Sequence, residues 1–120
     1  MNPKNKRSSS WRSTRALSPA TRCAILHRDN FACVYCTTKL PVNGAQLDHI
    51  KARKDGGSNE PTNLVACCGP CNNARQHNQL SPLAEFVAFA RALLLPIDRA
   101  KGRELAREHY PSRMTRKAAA

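Results

Sequence analysis

Aromatic and acidic residues are both scarce in this chain. Phe, Trp and Tyr together make up 5% of its 120 residues, so the hydrophobic core must be thin. Asp and Glu number 8 against 20 Lys and Arg, which gives a formal net charge of +12. A core this small usually needs disulfides or a metal for stability. The excess of positive charge predicts a polyanionic partner, with nucleic acid ahead of an anionic membrane surface.

Long apolar runs are missing as well. The chain contains no stretch of about 18 apolar residues, so its sequence predicts no membrane-spanning helix. The first 15 residues lack the apolar segment of a secretory signal. We therefore expect a cytoplasmic protein, in which the six cysteines are metal ligands or free thiols rather than disulfides.

Composition divides the chain into four segments. Residues 1–16 carry five basic residues and no acid, which predicts a disordered basic tail. That tail is either a solubilising arm or an arm that contacts phosphates. We predict one compact domain at 17–80, helices at 81–110 that pack on its core, and a second disordered tail at 111–120.

The flanking helices have clear start signals. Ser18 followed by Pro19 predicts a helix over 17–29, and the same pair predicts one over 81–95. The second helix carries an apolar stripe from 83 to 94 at helical spacing. We expect this stripe to pack internally, and the alternative is a dimer face.

A more polar helix is predicted at 97–110, weakened by Gly102. The middle of the chain instead alternates short β-rich runs with turns. We predict its elements, in chain order, as a knuckle hairpin that begins at 31, a strand at about 46–50, a loop at 51–62, a short apolar run at 63–71 and a short helix at 72–79.

Two Cys-x-x-Cys pairs dominate the cysteine pattern. Cys33 and Cys36 form the first pair, and Cys68 and Cys71 form the second, which leaves Cys67 spare. Two such knuckles make a tetrahedral sulfur cage for zinc, and an all-cysteine site leaves no position for a reactive water. We therefore predict a structural zinc; the alternatives are free thiols or a thiol redox pair.

The segment between the knuckles contains the residue types that phosphodiester hydrolysis requires. Asp48 and His49 are adjacent on a predicted strand, so their side chains point to opposite faces unless the strand end is irregular. Asn72 begins the following helix and could face the strand across a small cleft. A carboxylate and an amide oxygen are hard ligands suited to Mg²⁺ or Mn²⁺.

Three further polar residues accompany this pair. Asn63 could hold the loop or His49 through amide hydrogen bonds. Arg75 lies one helical turn after Asn72 and shares its face, so it could meet a phosphate. His77 is an alternative metal ligand, but its offset from Asn72 suits a shared face less well.

In this order, these residues resemble the HNH endonuclease family. The resemblance runs from Arg28 to Arg75, through "RDNFACVYC", "LDHI", "GG", "NL" and "CGPCN". It implies an α+β fold: a small zinc-stapled ββα-metal core with flanking helices and basic disordered tails. The nuclease domain would occupy 17–80.

The resemblance also implies a role for each residue. His49 would be the general base that activates water, and Asn63 would orient its loop. Asp48 and Asn72 would bind the catalytic Mg²⁺ or Mn²⁺, and the four paired cysteines would hold structural Zn²⁺. Two positions depart from the pattern: Asn72 stands where the family often has His, and Arg75 where it often has Lys.

The implied substrate is DNA, most simply double-stranded, cut to leave 5′-phosphate and 3′-hydroxyl ends. Charge alone leaves RNA open. Partners beyond nucleic acid are a second copy of the chain or a larger nuclease or packaging complex. The competing hypothesis is a non-catalytic zinc-ribbon module that binds DNA, but such a module has no use for Asp48, His49, Asn63 and Asn72.

Overall fold

The computed structural model of the protein describes residues 17–113. Its elements are, in chain order, α1 (Pro19–Arg28), β1 (Gln46–His49), β2 (Leu64–Cys67), α2 (Gly69–Gln76), α3 (Pro82–Leu94) and α4 (Arg99–His109). Single 3-10 turns at Arg53–Asp55 and Pro61–Asn63 shape the loop between the strands. This is the small α+β architecture that the sequence predicts. The predicted tails at 1–16 and 111–120 lie outside the described residues, apart from 111–113.

The helices begin where their capping residues predict. The Ser18 and Ser81 hydroxyls each accept a hydrogen bond from a backbone amide of the first turn, at 3.1 Å. This satisfies an amide that has no partner within the helix. The predicted helices at 17–29, 81–95 and 97–110 are confirmed, each within two residues of its expected bounds.

The sheet has two antiparallel strands. Gln46 lies opposite Cys67, and His49 lies opposite Leu64. The strand predicted at about 46–50 is confirmed, and the apolar run at 63–71 supplies the second strand.

Helix α2 begins earlier than the predicted 72–79. Its first residue is Gly69, inside the second knuckle. The Cys68 sulfur accepts the Cys71 amide at 3.4 Å and so acts as the N-cap, while Pro70 suits the first turn. The knuckle and the start of the helix are therefore the same piece of chain.

The main core lies between α1 and the sheet. Ile25 and Leu26 of α1 are fully buried against Leu47 of β1 and Leu64 of β2. Cys23 is also fully buried on α1, as expected of a cysteine without a paired partner. This core fixes the strand on which Asp48 and His49 lie.

A buried ion pair ties the end of α1 to β2. Arg28 Nε lies 2.9 Å from Asp29 Oδ1, and both side chains are almost fully buried. Asp29 Oδ2 also accepts the Ala66 amide at 3.0 Å, and Arg28 donates to the Leu64 carbonyl at 2.6 Å. The sequence analysis did not identify this pair, which sets where β2 lies.

Gly102 has a packing role rather than the weakening role predicted from helix propensity. A Cβ at this position would lie 2.3 Å from the Ala20 carbonyl oxygen and 2.8 Å from the Ala24 Cβ. Helix α4 can therefore approach α1 this closely only because residue 102 has no side chain.

The prediction that the apolar stripe of α3 packs internally is wrong. Its inner side is formed by the small residues Ala88 and Ala92, which pack on Val65. Phe86 is 69% exposed and Leu94 is 77% exposed. The two-stranded sheet offers too little surface to cover a second face of the helix. Even so, no helix within residues 17–113 is long and apolar enough to cross a membrane.

Candidate functional site

The four paired cysteines converge on one point. The sulfur atoms of Cys33, Cys36, Cys68 and Cys71 all lie within 4.8 Å of one another. The Cys36 and Cys68 sulfurs are 3.7 Å apart. Four thiolates at the usual Zn–S distance of about 2.3 Å would be separated by about 3.8 Å in a tetrahedron. The cluster therefore fits a zinc ion, as the spacing predicts.

Backbone geometry aims polar hydrogens at these sulfurs. In the first knuckle, the Tyr35 amide donates to the Cys33 sulfur at 3.4 Å, and Thr37 adopts a left-handed conformation with φ 68°. In the second knuckle, the Cys71 amide donates to the Cys68 sulfur, as described above. Such amides stabilise thiolates and orient them as ligands.

The thiols differ in how readily they ionise. Hydrogen bonds from the Thr38 hydroxyl and amide lower the pKa of Cys36 to about 6. Burial, followed by contacts with the neighbouring sulfurs, raises the pKa of Cys71. Binding a cation supplies the charge that such a crowded thiol needs to lose its proton.

Cys67 stays outside the cluster, as the Cys-x-x-Cys spacing predicts. It is fully buried on β2, and burial raises the pKa of its thiol. A buried, protonated thiol is chemically inert, so this cysteine acts as a small core residue.

Asp48 faces α2 and the first knuckle. Both of its carboxylate oxygens accept from Arg75 Nη1, at 3.0 and 2.9 Å. The Tyr35 hydroxyl donates to Oδ2 at 2.8 Å. Burial raises the pKa of Asp48, while the Arg75 charge opposes that shift. The carboxylate is thus embedded in the fold by two residues with which the sequence analysis had not paired it.

Arg75 is the hub of this side of the strand. Besides Asp48, its guanidinium donates to the His49 and Ile50 carbonyls at 3.0 and 2.8 Å, and to Glu85 at 3.2 Å. Its guanidinium carbon lies 5.0 Å from the centroid of the Phe89 ring. The side chain joins the end of β1 to α3.

His49 and Asp48 have different side-chain partners. The His49 Nε2 lies 2.7 Å from Asn59 Oδ1, which belongs to the loop between the strands. Separate partners are what their adjacency on a strand predicts.

Asn63 closes the loop that follows β1. Its side-chain amide donates to the Lys51 and Ser58 carbonyls at 3.0 and 2.8 Å, and its Oδ1 accepts the Lys51 amide at 2.8 Å. The loop that carries Asn59 is therefore held to the end of the strand.

Asn72 lies on α2 and reaches β1 at Gln46. Its Nδ2 donates to Gln46 Oε1 at 2.8 Å, and its Oδ1 accepts from Gln76 at a longer 3.3 Å. The structure thus attaches Asp48 and Asn72 to the same strand–helix pair through different partners. His77 turns to its own helix, where Nδ1 lies 2.9 Å from the Asn73 carbonyl oxygen.

The sequence that carries these residues is similar to known proteins. The family model for HNH endonuclease matches residues 33–78, a range that begins at Cys33 and contains both knuckles, both strands and α2. We call this matched range, residues 33–78, the HNH segment. This confirms the resemblance seen in the sequence.

Two curated relatives share the HNH segment within much longer chains. Over 65 residues the protein is 35% identical to the CRISPR-associated endonuclease Cas9 of Actinomyces naeslundii. The matched stretch covers 53% of this chain and 6% of that protein. Over 51 residues it is 37% identical to the Cas9 of Corynebacterium diphtheriae, which covers 42% of this chain and 5% of that protein. The chain therefore spans only a small part of these relatives' length.

The contacts of Asp48, His49 and Arg75 involve three residues that the sequence does not single out. Tyr35 was readable only as a residue between two zinc ligands, and Asn59 only as part of a polar loop. Glu85 lies outside the HNH segment, on α3, and its partner Arg75 lies within it. Only the folded geometry links these residues to the strand.

Proposed function

We propose that this protein is a metal-dependent endonuclease that hydrolyses the phosphodiester bonds of DNA. The observation that carries the proposal is the setting of His49 within the HNH segment. Its Nε2 is engaged by Asn59 Oδ1 at 2.7 Å. A carbonyl oxygen only accepts hydrogen bonds, so Nε2 carries the proton and Nδ1 carries the lone pair.

Among the described contacts, only Nε2 of the His49 imidazole has a partner, and the residue is 8% exposed. We assign the abstraction of a proton from water to the other nitrogen, Nδ1. An imidazole held at one nitrogen and carrying a lone pair at the other is arranged as a general base.

The reaction then proceeds by one in-line displacement with two proton transfers. A water donates its proton to His49 Nδ1 as its oxygen attacks the phosphorus in line. The bond from phosphorus to the 3′ oxygen breaks, and that oxygen takes up a proton from solvent. The products are a 5′-phosphate and a 3′-hydroxyl.

Asp48 and Asn72 are the residues that would hold the catalytic divalent cation. Oxygen donors of this kind suit Mg²⁺ or Mn²⁺. Asp48 Oδ1 accepts one hydrogen bond and Asn72 Oδ1 one long one, so each oxygen retains capacity for a ligand. When bound, such a cation neutralises charge that develops on the phosphate and the leaving oxygen.

Arg75 is better suited to positioning than to the phosphate contact predicted from sequence. Its guanidinium is engaged by Asp48, Glu85 and two backbone carbonyls, as described above. It is a positioning residue that fixes the Asp48 carboxylate and the end of β1. Asn63 acts in the same way on the loop that carries Asn59.

Charge supports a nucleic-acid substrate in general. Lys51, Arg53 and Lys54 are all exposed in the loop that follows His49. Together with the net charge of +12, they favour a nucleic-acid backbone bound by counterion release. The choice of double-stranded DNA over RNA rests on the resemblance to HNH endonucleases.

The test is nicking of supercoiled plasmid by protein that retains one zinc per chain. We expect cleavage with added Mg²⁺ or Mn²⁺ and none without added metal, with 5′-phosphate ends on the products. Zinc content and DNA binding are measured in the same samples. A folded, zinc-bound protein that binds DNA but never cleaves it would contradict the proposal and favour the non-catalytic module.

A further inference from the structure

Helix α3 presents an apolar surface to solvent. We call this surface the outer face of α3, and it consists of Leu83, Phe86, Val87, Ala90, Leu93 and Leu94. Except for Ala90, which is half-buried, these residues are exposed, and Leu83 is 70% exposed. Among residues 17–113, every exposed large hydrophobic side chain lies on this helix or at Leu95 just after it.

The charged side chains of α3 contact the rest of the protein rather than lying on the outer face. The helix contains only two charged residues, Glu85 and Arg91. Glu85 pairs with Arg75 of α2 at 3.2 Å, and Arg91 donates to the Arg28 carbonyl at 2.7 Å. A surface helix normally turns its charges to water and its apolar residues to the core. Here the order is reversed, which favours a partner on the outer face.

The size of the outer face approaches that of a protein interface. Its exposed side chains present roughly 600 Å² of apolar surface, at the upper end for a monomer and close to the about 800 Å² that each partner buries in a standard interface. A polar or charged ligand finds no partner on it. The surface fits another apolar surface of similar shape.

We propose that the outer face of α3 is the interface of a two-fold homodimer. The residues Leu83, Phe86, Ala90 and Leu93 alternate spacings of three and four, which is the pattern of a helix-pairing seam. In an antiparallel pair, Leu83 faces the partner's Leu93, and Phe86 faces the partner's Ala90. At the Phe86–Ala90 pair a large side chain then meets a small one, so that the two copies interdigitate there.

Electrostatics permit this pairing despite the strongly basic chain. No charged side chain lies on the outer face, because Glu85 and Arg91 are held inside their own subunit. Antiparallel helices also place opposite ends of their dipoles side by side. The proposal does not depend on catalysis, so a catalytically inactive protein must dimerise equally well.

The experiment measures the mass of the zinc-loaded chain by sedimentation equilibrium, at protein concentrations from about 1 to about 100 µM. We expect a reversible dimer for the wild type. Because each substitution occurs twice in a two-fold interface, Leu83→Glu should weaken dimerisation at least about 100-fold. The matched control is Ala100→Glu, which adds the same charge at an exposed position of α4 and should leave the dimer unchanged.

A second variant tests the antiparallel register. Leu83→Glu/Leu93→Lys places opposite charges across the interface and should restore most of the dimer, whereas Leu83→Glu/Leu93→Glu should remain a monomer. Positions 83 and 93 are too far apart on one helix to pair with each other. Zinc content and circular dichroism confirm that each variant is folded.

Three outcomes would overturn the proposal. These are a wild-type chain that stays monomeric over the whole concentration range, a dimer that is insensitive to Leu83→Glu, and a charge-paired variant no more dimeric than the like-charged one.

Discussion

Asp48 and His49 are neighbours on β1, yet they have opposite surroundings. Asp48 is locked into the fold by Arg75 and Tyr35, with three hydrogen bonds to its two oxygens. The imidazole of His49 has one partner among the described contacts, Asn59, which engages a single ring nitrogen. Neighbouring residues of one strand can therefore have very different settings, one a carboxylate paired with a guanidinium and the other an imidazole engaged at a single nitrogen.

The largest expected effect comes from removing a zinc ligand, because the zinc site stabilises the whole domain. Cys36→Ser should abolish zinc binding and unfold the domain, because the binding energy of a structural zinc, about 10–16 kcal/mol, equals or exceeds the stability of a small domain. Metal analysis and circular dichroism check this. Cys67→Ala is the control: it alters a buried cysteine outside the cluster and should keep one zinc per chain. A folded Cys36→Ser protein with full zinc would refute the cage.

The second prediction concerns the ion pair between Arg75 and Asp48. Arg75→Ala leaves a buried carboxylate without its cation and should lower the free energy of unfolding by about 3 kcal/mol. Chemical denaturation at fixed zinc measures this. Lys101→Ala, which removes an exposed ion pair with Glu104, should change it by less than about 0.5 kcal/mol.

The Arg75→Ala loss should also depend on pH. Burial raises the pKa of Asp48, and losing Arg75 removes a charge that lowers it. A group whose folded pKa is raised is tolerated when protonated and costs stability as pH rises through that pKa. The deficit should therefore be smaller in acid than at neutral pH. An equal deficit at both would place the loss elsewhere than Asp48.

The third prediction concerns the hydrogen bond between His49 and Asn59. Asn59→Ala removes the acceptor that fixes the ring tautomer and should slow cleavage about 10- to 100-fold with little change in DNA affinity. Asn59→Asp keeps an oxygen at this position and should recover much of the rate. If both variants cleave at the wild-type rate, Asn59 does not position His49.

The smallest expected effect on stability concerns the hydrogen bond from Tyr35 to Asp48. Tyr35→Phe removes one of its three hydrogen bonds and should lower the free energy of unfolding by about 1 kcal/mol. Denaturation under the same conditions as for Arg75→Ala measures it. A loss larger than that of Arg75→Ala would mean that Tyr35, rather than Arg75, holds the carboxylate.

The sequence predicts those features that depend on short-range chemistry. Ser18 and Ser81 mark helix starts because a cap acts within one turn. The Cys-x-x-Cys pairs predict their own convergence because one metal needs four thiolates. The order of Asp48, His49, Asn63 and Asn72 was sufficient to suggest the HNH family.

Features that depend on tertiary packing were not predictable in this way. A helical stripe shows which residues of α3 share a face, but not which face meets the core. Gly102 weakens an isolated helix, but against Ala20 it permits close packing. Arg75 and Asp48 lie on different elements, so only the fold shows that they pair.

The most direct test of the account compares His49→Ala with His77→Ala. His77 is an exposed histidine that bonds only to its own helix among the described contacts, so it is a matched control. Plasmid cleavage and DNA affinity are measured for both, with Mg²⁺ or Mn²⁺ present. We expect His49→Ala to lower cleavage at least about 10²-fold without weakening DNA binding, and His77→Ala to stay near wild type. Cleavage by His49→Ala at the wild-type rate would contradict the assignment of His49 as the base.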